Sequence, residues 1–218
     1  MRVRSSSRDS VLNRIRKATA TVALDGPKLG SQYSSISRDY VHKGKLPDDA
    51  KIALLIERLR DYDADVAECT TEELTNAIRG KLGASGRQTF VVPAGLPKSW
   101  MSPEFQWVVD EATGYEQIEK VEGVVTAASC AIADSGTIVL HHSASEGRRV
   151  LTLLPDWHLC VLFASQVVET LPEYFARVTQ APALVTWISG PSATADIEMT
   201  RIKGVHGPRH LSVILVHD

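Results

Sequence analysis

The sequence predicts an α/β fold in which helices cover both faces of a mostly parallel β-sheet. The chain has 218 residues, of which 44% are hydrophobic, so it can bury a substantial core. Strand-like and helix-like patterns alternate from Val66 to Ala112. Such alternation implies crossover connections, which align strands in parallel and place helices over the sheet.

An N-terminal extension is predicted to precede this fold. Val11, Leu12 and Ile15 lie at helical spacing behind Asp9 and Ser10, residue types that favour a helix start. Residues 25–47 are rich in Gly, Pro and Ser and show no sustained period, which predicts an arm or long loop. We therefore expect a helix and an extended arm over 1–47 and one α/β domain over 48–218.

Helix-start signals order the first half of the α/β domain. Asp48 precedes an apolar helical face, Thr70 and Glu73 form a capping box, and Ser102 stands before Pro103 at a first helical position. Together with the apolar runs, these signals predict a helix from 48, a strand at 66–67, a helix over 70–83, a strand at 89–92 and a helix over 102–112.

The second half is predicted to begin with a hairpin. The apolar runs 131–133 and 137–140 are separated by Asp134, Ser135 and Gly136, and the glycine suits a tight turn. Further patterns predict buried runs at 151–154 and 158–163, a helix over 166–178, an apolar segment at 184–188 and a last strand at 211–216.

Composition and motifs exclude several classes of protein. The formal charge of −2 gives no global field for nucleic acid or an anionic membrane. No run of about 18 apolar residues is present to span a bilayer. Dinucleotide-binding, Walker A and G-x-S-x-G motifs are also absent from the sequence.

The cysteines predict neither a cofactor nor a metal site in this chain. Cys69, Cys130 and Cys160 lie far apart, with no C-x-x-C pair, and read as reduced packing residues of a cytoplasmic protein. His141 and His142 are adjacent, so on a strand they point to opposite faces. We interpret that pair as a solvent-exposed strand end and predict no metal.

The first of three polar segments is the turn at Asp134. Asp134, Gly136 and Thr137 follow a buried strand, and in open α/β sheets ligands bind at the carboxyl ends of strands. Two interpretations stay open. Asp134 either stabilises a hairpin turn or lines a pocket with Thr137, where the glycine lets a ligand approach the backbone.

The second segment follows an apolar strand that ends at Gly190. Small residues there leave backbone N–H groups uncovered, next to the hydroxyls of Ser192 and Thr194, and such a concavity suits a carboxylate or phosphate. Asp196 and Glu198 come directly after. A strand-to-helix turn with only a capping hydroxyl is the alternative.

The third segment presents His206 and Arg209 between glycine and proline residues, with Gly207 following the histidine. His206 could carry a proton and Arg209 could hold an anion. A structural ion pair with Asp196 or Glu198 competes with a catalytic role. Arg148 and Arg149 could add positive charge to the same crevice, or one of them could simply start a surface strand.

These segments carry a resemblance to a known family. The series G-P-S-x-T-A-D-I-E over 190–198 and G-V-H-G-P-R over 204–209, with A-I-A-D-S-G-T over 131–137, Arg149 and His158, resembles the lactate-utilization (LUD) domain family and its short stand-alone members. The resemblance covers residues 120–218 well, and the N-terminal half only in general layout.

The resemblance implies a fold related to the phosphosugar isomerase and CoA-transferase superfamily. It also implies a role in oxidising L-lactate to pyruvate beside partner proteins that carry iron–sulfur clusters. The chain lacks the cluster-binding cysteines of larger family members, so any electrons would travel through those partners.

Three functions remain open from the sequence. The leading one is a non-redox component that binds its iron–sulfur partners and a small anionic ligand. The second is an independent isomerase or transferase with Asp134 or Glu198 as base, His206 as acid and Arg209 as anion clamp. The third is a structural interaction module that docks through the 25–47 arm.

Overall fold

The computed structural model describes residues 7–19, 26–194, 202–203 and 207–218. Contacts divide the chain after Tyr40 into two compact units. The first unit contains the helices α1 (Ser7–Thr19) and α2 (Gly26–Ser34). The prediction of an unstructured arm is wrong over α2, because backbone hydrogen bonds close a short helix without any apolar stripe.

The second unit is built on a six-stranded sheet with the order β1-β12-β7-β4-β2-β3, in which every pairing of neighbours is parallel. Its helices are α3 (Asp48–Asp61), α4 (Leu74–Ala84), α5 (Tyr115–Ile118) and α6 (Leu171–Arg177). The described strands are β1 (Asp65–Thr70), β2 (Thr89–Pro93), β3 (Gln106–Asp110), β4 (Gly123–Ala127), β5 (Cys130–Ile132), β6 (Thr137–Leu140), β7 (Trp157–Phe163), β8 (Val167–Val168), β9 (Thr186–Ile188), β10 (Ala193–Thr194), β11 (Ile202–Lys203) and β12 (His210–His217). This parallel sheet, flanked by helices, confirms the predicted α/β class.

A smaller sheet with the order β8-β5-β6-β9 packs over one face of the large sheet. Within it β5 and β6 pair antiparallel, with Ala131 opposite Ile138, which confirms the predicted hairpin. Strand β9 extends this sheet antiparallel to β6 and forms its edge. Residues 193–194 and 202–203 form a separate antiparallel pair, β10 with β11.

Alternate side chains of the central strands supply two cores. Cys160 and Leu162 of β7 pack with α3 and the small sheet, whereas Leu159 and Val161 pack with α4 on the opposite face. This two-sided burial is what a parallel sheet requires, since helices or a second sheet must exclude water from both faces.

The helix predicted over 102–112 is wrong. Residues 106–110 form β3, which pairs in parallel with β2. The local signal at Ser102 and Pro103 is outweighed by tertiary packing, because Trp107 lies beside Phe90 with its ring centroid 5.6 Å away. Aromatic and β-branched residues in this run favour a half-buried strand over a helix.

The helix predicted over 166–178 is correct only in its second part. Val167 and Val168 are buried and pair with β5 as strand β8, and the helix α6 begins at Leu171. Thr170 marks that start, because its backbone N–H donates to the Glu173 carboxylate at 2.9 Å. Similarly, the run predicted as buried at 151–154 turns out to be a 3₁₀-helix, Arg149–Thr152, followed by an exposed Leu154.

No helix within the described ranges is long and apolar enough to cross a membrane.

Candidate functional site

A cavity of about 210 Å³ lies along the edge strand β9 and the chain that follows it. Its wall on one side is strand β9 with the turn at Gly190, and on the other side the 3₁₀-helix and the segment leading into β12. The lining residues are Arg149, Thr152, Leu153, Thr186, Trp187, Ile188, Ser189, Gly190, Pro191, Ser192, Gly207, Pro208 and Leu211.

Two hydrogen bonds show how this cavity joins the predicted polar segments. The backbone N–H of Ser192 donates to the carbonyl of Pro208 at 2.8 Å, which brings the second and third segments together. The hydroxyls of Thr137 and Ser189 lie 2.8 Å apart, which ties the first segment to the same strand end. Parts of all three segments therefore meet near β9.

This meeting point differs from the expected crevice. The described part of the third segment, Gly207 to Arg209, leads directly into β12. It therefore lies at the amino end of a strand of the large sheet, and the expectation of a carboxyl-end crevice is wrong for this segment.

The turn after β9 requires the glycine that the sequence offers. Gly190 has φ of +86°, and a Cβ built on it would lie 2.6 Å from the Cβ of Tyr62. A larger residue would be strained in backbone and would overlap the end of α3. Gly190 thus fixes the direction in which the following N–H groups and Ser192 leave the strand.

A chain of hydrogen bonds holds Arg149 at the cavity. The Gly147 carbonyl can only accept, so Nδ1 of His142 donates to it at 2.8 Å. In a neutral imidazole Nε2 then accepts from the Thr186 hydroxyl at 2.8 Å. This leaves the Thr186 oxygen to accept from Nη1 of Arg149 at 3.0 Å.

The loop that carries His142 is itself fixed by a buried carboxylate. Glu146 accepts hydrogen bonds from the backbone N–H of His141 at 2.6 Å and of Ser143 at 3.1 Å, and also from the Ser129 hydroxyl. These bonds close the loop after β6 and hold His142 at φ of +58°. A left-handed non-glycine residue of this kind persists where its surroundings determine it strongly.

The two histidines were predicted wrongly as an exposed strand end. Both are half-buried, and Nε2 of His141 lies 2.8 Å from the hydroxyl of Tyr174. They lie just after β6 and bond to different partners. Only the contact of His142 with Thr186, 44 residues later, reveals its place at the cavity, and no local pattern carries that signal.

Arg149 gives the cavity its chemistry. Among the described lining residues it is the charged one, and Ser189 and Ser192 line the same cavity. A guanidinium presents several N–H donors in a planar fork, which matches the two oxygens of a carboxylate. The arrangement can therefore bind a small carboxylate or a similar anion.

Its neighbour Arg148 has a structural role. Nε and Nη2 of Arg148 donate to the two oxygens of the buried Asp110 at 2.8 Å and 2.6 Å. Hydrogen bonds from this guanidinium lower the pKa of Asp110 below its ordinary value. Of the two arginines proposed for the crevice, the cavity therefore contains Arg149 and not Arg148.

Arg209 is engaged in an ion pair at the amino edge of the large sheet. Its Nε donates to one oxygen of Asp156, and Arg87 donates to the other at 3.1 Å. Burial raises the pKa of Asp156, but the hydrogen bonds from Arg209 and Arg87 outweigh this and leave it lowered. Among the described residues, Arg209 therefore forms a structural ion pair with Asp156.

Asp134 lies outside the β9 cavity. It lines a neighbouring cavity of about 360 Å³, with Ser135, Thr137 and several apolar side chains. Trp187 lines both cavities. Gly136, at φ of +59°, forms the hairpin turn and approaches the backbone of Arg58.

The remaining candidate residues can be placed only in part. The backbone of Thr194 pairs with Ile202 in the β10–β11 ribbon. Asp196, Glu198 and His206 lie outside the described residues. The base and acid proposed from sequence therefore have one described member, Asp134.

Two buried polar side chains of the large sheet, His158 and Thr126, contact each other. Nε2 of His158 is 2.8 Å from the Thr126 hydroxyl, and burial lowers the pKa of His158 to about 4. The three cysteines are buried and unpaired, and burial raises the pKa of Cys160 to about 12. In the part of the chain that the structure describes, no three His, Cys, Asp or Glu side chains are grouped to hold a metal ion.

Comparison with known proteins assigns the family. A family model described as LUD domain matches residues 52–216. Lactate utilization protein C of Deinococcus radiodurans is 41% identical over 165 residues, covering 73% of this chain and 76% of that protein. Lactate utilization protein C of Bacillus subtilis is 27% identical, covering 97% of each chain.

A solved structure shares the architecture. The crystal structure of a DUF162 family protein from Deinococcus radiodurans matches with a TM-score of 0.67 at 33% identity, covering 79% of this chain and 99% of that chain. Fold and cavity define an α/β protein with a parallel sheet and an arginine-bearing polar cavity beside a second sheet. The chain belongs to the LUD domain family.

Proposed function

We propose that this protein is a non-redox component of an L-lactate utilization system, which oxidises lactate to pyruvate with iron–sulfur partner proteins. The observation that carries the proposal is the LUD domain match over residues 52–216, joined to relatives named lactate utilization protein C that align over nearly their whole length. The cysteine spacing supports the assignment of electron transfer to the partners. The proposed location is the cytoplasm.

The proposed ligand of the β9 cavity is a small carboxylate such as L-lactate or pyruvate. Arg149 would hold the carboxylate, and the hydroxyls of Ser189 and Ser192 would form hydrogen bonds with the oxygen on the ligand's second carbon. A cavity of about 210 Å³ accommodates a molecule of this size. A site built to hydrogen-bond such groups discriminates strongly against analogues that lack them.

Growth of a deletion strain tests the physiological role. A strain without this protein is expected to lose growth on L-lactate while growing normally on pyruvate, because pyruvate enters after the oxidation step. Wild-type protein should restore growth. Unimpaired growth of the deletion strain on L-lactate, at the wild-type rate, would refute the proposed role.

Calorimetric titration of the purified protein tests the cavity. L-Lactate and pyruvate should bind to the wild type and bind at least about tenfold more weakly to Arg149→Met, as expected when a charged hydrogen-bonding partner is lost. Arg79→Met on α4 is the matched control, since Arg79 is exposed and outside the cavity. Equal affinities for both variants would refute carboxylate binding at Arg149.

A further inference from the structure

A cluster of exposed apolar side chains lies on the outer side of the small sheet. Leu171 and Phe175 of α6 and Trp187 of β9 are 46%, 59% and 42% exposed. The buried ring of Tyr174 packs between the two aromatic residues, with centroids 5.2 Å from Phe175 and 5.0 Å from Trp187. We call Leu171, Phe175 and Trp187, with Asp134, the Trp187 surface.

These side chains are held rigidly although they face solvent. The three rings meet edge to face or tilted, and α6 is anchored by Thr170 and Glu173 at its start. Exposed aromatic residues on a rigid support lose little conformational entropy on binding, and they are typical of the central anchors of protein interfaces.

A carboxylate stands at the edge of this apolar patch. Asp134 is exposed, lines the cavity of about 360 Å³ with Phe175 and Trp187, and forms no ion pair with the described residues. Its neighbours Ser135 and Thr137 are neutral and bond to each other through their hydroxyls at 2.8 Å, so among the described lining residues Asp134 supplies the charge. The charge of the patch is therefore negative.

The position of the patch connects it to the β9 cavity. Trp187 lines both cavities. The hydroxyl of Thr137, in the cavity of about 360 Å³, forms a hydrogen bond with the hydroxyl of Ser189, in the β9 cavity. A protein seated on the Trp187 surface would lie directly beside a carboxylate held by Arg149. A subunit that binds the substrate but carries no redox centre needs its redox partner next to the bound substrate.

We propose that the Trp187 surface is the docking site for an iron–sulfur partner protein, which inserts an arginine between Trp187, Phe175 and Asp134. This inference rests on the proposed function and names where the partner sits. An arginine fits because its guanidinium stacks on an aromatic face and pairs with a carboxylate. A second copy of this chain fits poorly, because the described residues of the patch include no Lys or Arg that could pair with Asp134 across a symmetric contact.

Affinity measurements with the purified iron–sulfur partners test the site. Phe175→Ser and Asp134→Lys should each weaken binding of the full chain to its partner by at least about tenfold, as expected for interface anchors. The matched controls are Tyr115→Ser and Glu104→Lys, which make the same kinds of change at exposed positions outside both cavities. They should stay within about twofold of wild type.

Thermal unfolding and gel filtration complete the experiment. All four variants should unfold near the wild-type temperature and elute at the wild-type volume. Two results would overturn the inference: partner affinity of Phe175→Ser and Asp134→Lys equal to that of the controls, or a wild-type homodimer that Phe175→Ser converts to a monomer.

Failure of the proposed function looks different. If wild-type protein binds no iron–sulfur partner and its deletion leaves growth on L-lactate intact, the functional proposal falls, and the docking site falls with it. If wild type and the two surface variants all bind the partner equally, only the docking site is refuted.

Discussion

Thr186 is the central hydrogen-bonding residue of the candidate site. Its hydroxyl donates to His142 and accepts from Arg149, so one buried oxygen couples the loop after β6 to the guanidinium in the cavity. His142 and Thr186 act on the proposed carboxylate through Arg149. They set the direction in which Arg149 presents its remaining donors.

Replacing that hydroxyl should therefore weaken carboxylate binding. Thr186→Val keeps the shape but leaves Nη1 of Arg149 and Nε2 of His142 without this partner, and we expect about tenfold weaker binding of pyruvate. Thr186→Ser keeps the hydroxyl and should retain affinity within about threefold. Isothermal titration at fixed pH measures both, and equal affinities for the Val and Ser variants would contradict this role.

His158 gives a second prediction at this scale. Burial lowers its folded-state pKa to about 4, below the ordinary value of 6.5, so the unfolded chain binds the extra proton between these limits. Stability from the neutral ring is complete above pH 6.5 and is lost as pH falls toward 4. The shift corresponds to about 3 kcal/mol in the free energy of unfolding.

Urea unfolding from pH 7 to pH 4 measures this loss. His158→Gln cannot be protonated and can still accept from Thr126, so its stability should fall less steeply over the same window. Subtracting the two curves removes the contribution of the carboxylates that both proteins share. Parallel curves would mean that His158 does not resist protonation in the folded state.

At the scale of elements, one ion pair ties the edge strand β3 to the 3₁₀-helix that carries Arg149. Arg148 clamps Asp110 at the end of β3 and also donates to the carbonyl of Thr113 at 2.8 Å. The Asp110 side chain is almost fully buried, so loss of its partner leaves a carboxylate without compensation.

Arg148→Met is expected to lower the free energy of unfolding by about 2–3 kcal/mol. Adding Asp110→Asn should recover part of this loss, because the buried group no longer carries a charge. Chemical denaturation of the two single variants and the double variant forms a complete cycle. Additive effects of the two changes would show that Asp110 and Arg148 are not coupled in the folded protein.

The sequence predicted elements best where their own side chains determine them. The apolar face of α3 and the apolar runs on both sides of the Asp134 turn are local patterns, and both elements are present. The predictions failed where partners are distant: β3 forms because β2 pairs with it, and Val167 becomes a strand because β5 accepts it. Local helix signals could not outweigh these long-range pairings.

The same distinction applies to the site. Gly190, Ser192 and Gly207 are predicted from their local sequence to lie in polar turns, and they line one cavity, while their role in ligand binding stays a prediction. Thr186, which bonds to His142, and Asp156, which pairs with Arg209, lie more than 40 residues away from them in sequence. A histidine pair and an isolated arginine carry no signal of those contacts, so their roles follow only from the fold.

For the whole molecule, Trp187 lines both cavities, so the proposed small anion near Arg149 and the proposed partner protein over the Trp187 surface would lie next to each other. Both cavities lie on the small sheet, whereas the large parallel sheet supplies a rigid base with its own two cores. A ligand in the β9 cavity would contact both the small sheet and the segment that leads into β12, so it should stabilise the domain as a unit.

Thermal unfolding with ligand tests this coupling. A ligand that binds only the folded chain adds about 2.7 kcal/mol at one hundred times its dissociation constant. For a domain of this size we expect pyruvate at that concentration to raise the unfolding midpoint by roughly 5–10 °C. Arg149→Met should lose the shift, whereas Arg79→Met should retain it. A shift of equal size in both variants would place the ligand elsewhere, and no shift in wild type would mean that pyruvate does not bind the folded protein.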